Sequence, residues 1–198
     1  IGNSQGIDTN RDRHLLEQLP NSEITLLTNT TRQEITEQLW DDQGWDILFF
    51  AGHSQSDRHK TTGCIQINHQ DSLTTKELKY ALTKAVAKGL KIAIFNSCDG
   101  LGLAQELGDL NIPQIIIMRE PVPDQVAQEF LKYFLAAYAR GESFYLAVRE
   151  ARTKLQGLED HYPCATWLPV IVQNPASIPP AWQQLYQRRW LLLPGQAP

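Results

Sequence analysis

Trp45-Asp46-Ile47-Leu48-Phe49-Phe50-Ala51-Gly52-His53-Ser54 is the stretch on which the fold turns. After Asp46 the run to Phe50 is wholly apolar, with no polar alternation. A strand of that kind is buried on both faces, as in a parallel sheet covered by helices. Residues 91–95 and 114–118 are expected to repeat it. Helices are expected between these strands. Thr31 with Glu34 and Thr74 with Glu77 form capping boxes. The first opens a helix to about Asp42, and the second opens one closed by Gly89 at its C′ position. Further helices are expected over residues 101–107, 124–140 and 144–155, with Asp124 capping the second of these and Gly141 closing it. Residues 24–27 read as a short strand, 64–67 as part of a small hairpin and 168–172 as a last strand. This alternation predicts an α/β fold, a three-layer sandwich in which helices flank a mostly parallel sheet.

Working outward, the chain has 198 residues, a length that suits one domain. A domain of that size buries roughly 70 % of its unfolded surface and needs no disulfides. Hydrophobic residues at 42 % and charged residues at 20 % are ordinary globular usage. They exclude a disordered tail, a collagen-like fibre and a coiled coil. A net charge of −4 disfavours binding to nucleic acid phosphates, so no nucleic acid partner is expected. No apolar run approaches the length of about 18 residues that spans a membrane. The opening Ile1-Gly2-Asn3-Ser4-Gln5-Gly6 resembles the loop that normally follows a strand. The chain therefore reads as a piece of a longer protein, with its first strand largely missing. Pro175, Pro179 and Pro180 break the pattern near the other end. A domain over 1–175 and a linker or docking tail over 176–198 are expected. Trp190 and Leu191-Leu192-Leu193 beside Arg188-Arg189 would suit a membrane surface, a neighbouring domain, or an apolar arm lying on its own domain.

The three cysteines are Cys64, Cys98 and Cys164, widely spaced and without a Cys-x-x-Cys pair. A zinc cage is not expected, and no cofactor motif is present. So few cysteines suit a reducing compartment, hence a cytoplasmic domain. Cys64 and Cys164 read as structural, and the Trp40, Trp45 and Trp167 set reads as core packing. Cys98 differs because of its place in the pattern. Phe50-Ala51-Gly52-His53 and Phe95-Asn96-Ser97-Cys98 each put a reactive residue three positions after the last aromatic of a buried strand. In such sheets chemistry sits at the carboxyl ends of the strands. If the two strands are neighbours, about 4.8 Å apart, His53 and Cys98 emerge on one rim. The thiolate of Cys98 would attack a carbonyl and His53 would protonate the leaving amine. A helix starting just after Cys98 would lower the thiol pKa through its N-terminal partial charge. Asp99 beside it would oppose that effect.

A His some 50 residues upstream of the Cys is the caspase order. Residues 45–54 and Ala93-Ile94-Phe95-Asn96-Ser97-Cys98 resemble the two active-site blocks of a CHAT domain. These are caspase-like domains of bacterial, often cyanobacterial, multidomain proteins. Pro121-Val122-Pro123-Asp124 is similar to the family's third block, and Ala165-Thr166-Trp167-Leu168-Pro169-Val170 to its last strand. The resemblance implies a cysteine endopeptidase with Cys98 as nucleophile and His53 as general acid and base. It puts the oxyanion on the backbone N–H groups of Cys98 and Ser54, a preorganised arrangement. It implies a protein or peptide substrate, signalling work within a larger protein whose other domains are its partners, and a membrane junction in some relatives. Caspases carry Gly where Ser54 stands, and their Gln-Ala-Cys-x-Gly block reads Asn96-Ser97-Cys98-Asp99-Gly100 here. No arginine set maps onto a pocket for aspartate, so that preference is not carried over. Asn96, Arg119 and Glu120 are the residues expected near a substrate pocket. Many caspase relatives pair through an edge strand, but the oligomeric state is not legible.

Three other readings are open. A caspase fold without catalysis would serve as a sensor or scaffold. Gly52-His53-Ser54-Gln55-Ser56 approaches the Gly-x-Ser-x-Gly nucleophile elbow. It would make Ser54 the nucleophile of an α/β-hydrolase, with Asp124 or Asp160 and His161 completing a triad. The elbow needs a helix at once, whereas a β pattern follows, and its last glycine is replaced by Ser56. The loop Gly2-Asn3-Ser4-Gln5-Gly6 would suit a flavodoxin-like phosphate site, a weak signal alone.

Overall fold

The computed structural model describes residues 9–20, 22–28, 30–52, 54–56, 63–68, 71–96, 103, 106–185 and 189–194. Six strands form the main sheet. They are β1 (Glu23–Leu26), β2 (Ile47–Ala51), β6 (Ile92–Asn96), β7 (Gln114–Met118), β8 (Pro169–Gln173) and β9 (Arg189–Pro194). Their spatial order is β1-β9-β2-β6-β7-β8. All neighbours run parallel except β7 and β8, which are antiparallel. A second, three-stranded antiparallel sheet holds β3 (Ser54–Ser56), β4 (Gly63–Gln66) and β5 (Ser72–Thr74). The longer helices are α1 (Thr9–Glu17), α2 (Arg32–Leu39), α3 (Thr75–Ala87), α4 (Asp124–Ala139) and α5 (Phe144–Lys154).

The apolar runs are continuous because each central strand feeds two cores. Ile47, Phe49, Ile92, Ile94, Ile116, Trp190 and Leu192 face one cluster, which contains Leu16 of α1, Phe130 and Phe134 of α4, and Phe144 and Val148 of α5. Leu48, Phe50, Ala93, Phe95, Ile115, Ile117, Leu191 and Leu193 face the other, with Ile35 of α2, Leu78 and Leu82 of α3, and Leu107. Successive strand side chains alternate between faces, so both faces must be apolar when both are covered. The expected three-layer α/β sandwich with a mostly parallel sheet is the architecture observed.

Both capping boxes form. Thr31 Oγ1 accepts from the Glu34 N–H while Glu34 Oε2 accepts from the Thr31 N–H, and Thr74 with Glu77 does the same. The expected cap at Asp124 does not. Pro123 is the N-cap of α4 and offers no side-chain bond, while Asp124 is the first helical residue and accepts from Gln128 Nε2 at 2.9 Å. Proline suits a helix start because its missing N–H would be unpaired there anyway. Of the helix expected over 101–107, residues 103, 106 and 107 fall among the described residues, and they are helical. Trp45 is core, as expected, but Trp40 and Trp167 are 47 % and 61 % exposed. Cys64 is half-buried, and Cys164 is exposed with φ of +66°.

The tail expected as a linker or docking arm supplies β9. Its residues bond β1 on one side and β2 on the other, Ile24 and Ile47 both opposite Trp190. Of the readings for the apolar arm, burial in its own domain is the one the structure takes. Trp190, Leu191, Leu192 and Leu193 are all buried. The segment returning from β8 passes the C-terminal end of α4. There the Tyr138 hydroxyl donates to Pro180 O at 2.6 Å, and Trp182 packs edge-on against the Tyr138 ring at 5.6 Å. Burial, and secondarily the Asp46 charge, raises the Tyr138 pKa. Arg189 pins the entrance to β9. Its guanidinium donates to Gly44 O at 2.8 Å and to Asp41 Oδ1 at 3.2 Å, and lies 4.1 Å from the centre of the Trp45 ring. Among the described residues, no helix is long and apolar enough to cross a membrane.

Candidate functional site at the carboxyl ends of the strands

β2 and β6 are adjacent and parallel, with Phe50 opposite Phe95 and Ala51 opposite Asn96. The pairing extends one residue further, the Gly52 N–H donating to Asn96 O at 3.4 Å. His53 and Cys98 themselves lie outside the described residues. Each follows its member of the Ala51/Asn96 pair by two positions. The expectation that the two strands are neighbours is met, and their ends are level. β9 reaches the same rim, Leu193 standing opposite Phe50 and Pro194 opposite Ala51.

Ser54 opens β3, which runs antiparallel to β4 with Ser54 opposite Ile65. This hairpin sheet is anchored by Ile65, Ile67 and Leu73, all buried in the second core, and leads through Thr74 directly into α3. A strand therefore follows residue 53. The nucleophile elbow of an α/β-hydrolase requires a helix at that point, so the structure contradicts the serine-hydrolase reading built on Ser54. Its other expected members are also accounted for locally. Asp124 bonds within α4, and Asp160 and His161 are exposed in the turn after Leu158. The phosphate-loop reading of residues 2–6 lies outside the described residues.

Asn96 is 6 % exposed. Its Nδ2 donates to Ala127 O at 3.2 Å, tying the end of β6 to the first turn of α4, and its Oδ1 is buried with no hydrogen-bond partner among the described residues. Arg119 and Glu120 directly follow β7, the neighbour of β6, and are exposed on the same rim. The Arg119 N–H donates to Leu168 O at 2.7 Å, which closes the β7/β8 ladder there. The N-terminal end of α4 also faces this side of the sheet, following Pro121-Val122-Pro123. It is held by α1, where Arg11 donates to Gln128 Oε1 at 3.0 Å and to Glu129 Oε1 at 2.6 Å. The tie through Asn96 and the clamp through Arg11 were not read from sequence. A buried amide at a strand end was the one signal available for the first.

Among the described residues, no group of three or more His, Cys, Asp or Glu could hold a metal ion. No curated protein matches the chain closely enough to count as a relative. The family model of the CHAT domain matches residues 8–178, a span that runs from α1 past β8 and includes both strand ends of the rim. With the mostly parallel, helix-flanked sheet, that match shows that the chain belongs to the CHAT domain family and has its caspase-like fold.

Proposed function

We propose that the chain is a cysteine endopeptidase in which Cys98 and His53 hydrolyse peptide bonds of a protein substrate. The observation that carries this reading is the register of β2 and β6, Ala51 opposite Asn96, two residues before His53 and Cys98 respectively. Neighbouring strands are about 4.8 Å apart, so a thiol and an imidazole launched from level strand ends suit a nucleophile and its proton carrier. The Cys98 thiolate attacks the scissile carbonyl carbon, forming a C–S bond and an oxyanion. The C–N bond then breaks as His53 gives a proton to the leaving amine. Water, deprotonated by His53, releases the acyl group and restores the thiol. The oxyanion is assigned to the backbone N–H groups of Cys98 and Ser54, donors that need no reorganisation as charge develops. Arg119 and Glu120 offer charged groups to a substrate from the next strand end, and Asn96 holds β6 against α4.

The test is cleavage of a broad peptide library by the chain and by Cys98→Ala, His53→Ala and Ser54→Ala variants. Loss of about two to four decades in rate is expected for the first two. Ser54→Ala keeps its backbone N–H and is expected to cut at near the parent rate. Equal cutting by Cys98→Ala, or no cutting by any form including a longer chain that carries this domain, overturns the proposal. The latter outcome would leave the family's fold as a sensor or scaffold.

A further inference from the structure

A cleft of about 550 Å³ lies beside α5 and β8, with β6 and β7 standing between it and β2. One wall is a single stripe of α5, on which Tyr145, Arg149 and Arg152 recur at helical spacing. Ile171 of β8 lies along the opposite side, and Trp167 stands at one end, 61 % exposed. β8 is an edge strand, paired with β7 on one side and with no described strand on the other. Its open side can be assigned from the ladder. The Arg119 N–H bonds Leu168 O, and the Asn174 N–H bonds Pro113 O. Bonded positions alternate along an antiparallel pair, so Val170 and Val172 turn their amides to β7. Those of Ile171 and Gln173 turn outward. Pro169 also falls on the outward side, where its missing N–H costs no ladder bond.

The charge beside this edge is positive. Arg149 has no hydrogen-bond or ion-pair partner for its guanidinium among the described residues, and Arg152 uses only Nε, donating to Thr166 O at 2.9 Å. The nearby Glu159 carboxylate is turned to Thr166, accepting from its N–H at 3.2 Å and its Oγ1–H at 2.7 Å. Unpaired outward amides, two guanidinium groups with free N–H donors and an exposed indole stand together along one strand length.

We propose that the cleft and the open edge of β8 form a docking site for an extended acidic segment of a partner protein, which adds to the sheet as a further strand. The segment's backbone would bond Ile171 and Gln173, its carboxylates would meet Arg149 and Arg152, and an apolar side chain would cover Trp167. Strand addition draws affinity from main-chain bonds and specificity from alternate side chains. A second copy of this chain fits less well. A two-fold pairing through β8 is self-complementary by residue, and would bring like-charged Arg149 and Arg152 sets towards one another. The site is independent of the Cys98 and His53 proposal.

The test uses the full chain and a fluorescein-labelled octapeptide of alternating glutamate and valine, followed by anisotropy. Saturable binding is expected. Arg149→Glu and Trp167→Ala, both at surface positions, are each expected to weaken it about tenfold or more. So is N-methylation of alternate peptide amides, which leaves the protein untouched. A peptide with lysine for glutamate is expected not to bind. The proposal is overturned by equal binding of the lysine or N-methylated peptide, or by no effect of Arg149→Glu. It is equally overturned by no binding up to about 1 mM, the weak end of specific association. A concentration-dependent dimer that excludes the peptide and survives in Arg149→Glu would assign the edge to a second copy instead.

Discussion

Gly44 sits at φ of +71° in the turn before β2, and a Cβ there would collide with the carbonyl oxygen of Lys88. Its own carbonyl accepts from Arg189, so this one residue couples the turn, the end of α3 and the start of β9. An L side chain in the left-handed region costs about 1–2 kcal/mol before any collision is counted. Gly44→Ala is therefore expected to lower stability by about 2 kcal/mol or more, read as a fall in the urea midpoint with an unchanged slope. Gly89, at φ of +119° with open space around its Cα, is the internal comparison. Its alanine variant bears the backbone strain alone and should lose less. A substitution effect of equal size at both sites would remove Lys88 from the account. Trp167 and Arg149 belong at this scale as well. Their types and spacing were visible in the sequence, but an indole in a chain of this composition reads as core until its exposure is seen.

At the scale of elements, α2 and α3 carry reciprocal caps whose carboxylates face backbone N–H groups. The Thr74 backbone N–H, then its hydroxyl, hold the Glu77 carboxyl below the usual carboxylate range, with Arg32 adding to the effect and burial opposing it. Glu34 is lowered in the same way by Thr31 and Thr30. A carboxyl lowered by folding contributes stability that is full above its unfolded pKa. That contribution is lost as pH falls through the ordinary carboxylate range to the folded value. Glu77→Gln is expected to flatten the pH dependence of the urea midpoint in that acid window and to leave its slope above pH 6 unchanged. Thr74→Ala should cost about 1 kcal/mol at neutral pH, the usual cost of losing an N-cap. An acid limb identical in parent and Glu77→Gln would dispose of the linkage. These boxes were legible because their partners are three residues apart. At α4 two adjacent local signals compete, and Pro123 takes the N-cap position, leaving Asp124 as the first helical residue.

For the whole molecule, β9 is the element with the largest consequence. It fills the position between β1 and β2 with four buried apolar residues, and its end stands level with the strand that leads to His53. Removing 186–198 would leave two facing strand edges unpaired and a slot in both cores. The shortened chain is expected to lose its cooperative unfolding transition and to bind a hydrophobic dye. A linker or docking arm would instead leave the melting temperature where it was, so a single thermal scan of the two forms decides the matter. The rim also becomes a property of the whole sheet. β2 and β6 point their ends at it, Arg119 and Glu120 arrive from β7, and α1 steadies the neighbouring helix through Arg11.

The layers, both capping boxes and the central strands were legible in the sequence because they rest on periodicity and on partners a few residues apart, and the family was legible in the motif blocks at residues 45–54 and 93–98. The sequence also placed His53 and Cys98 at equivalent distances beyond two buried strands. Which strands are neighbours, and that β2 and β6 end level, came from tertiary contacts, which also turned the β pattern read after residue 53 into the strand β3. The tertiary structure alone placed Arg189–Pro194 in the middle of the sheet. The physical reason is that strand order depends on contacts between residues far apart in the chain. An apolar run such as Trp190 to Leu193 reads the same whether it meets a membrane, another protein or its own core.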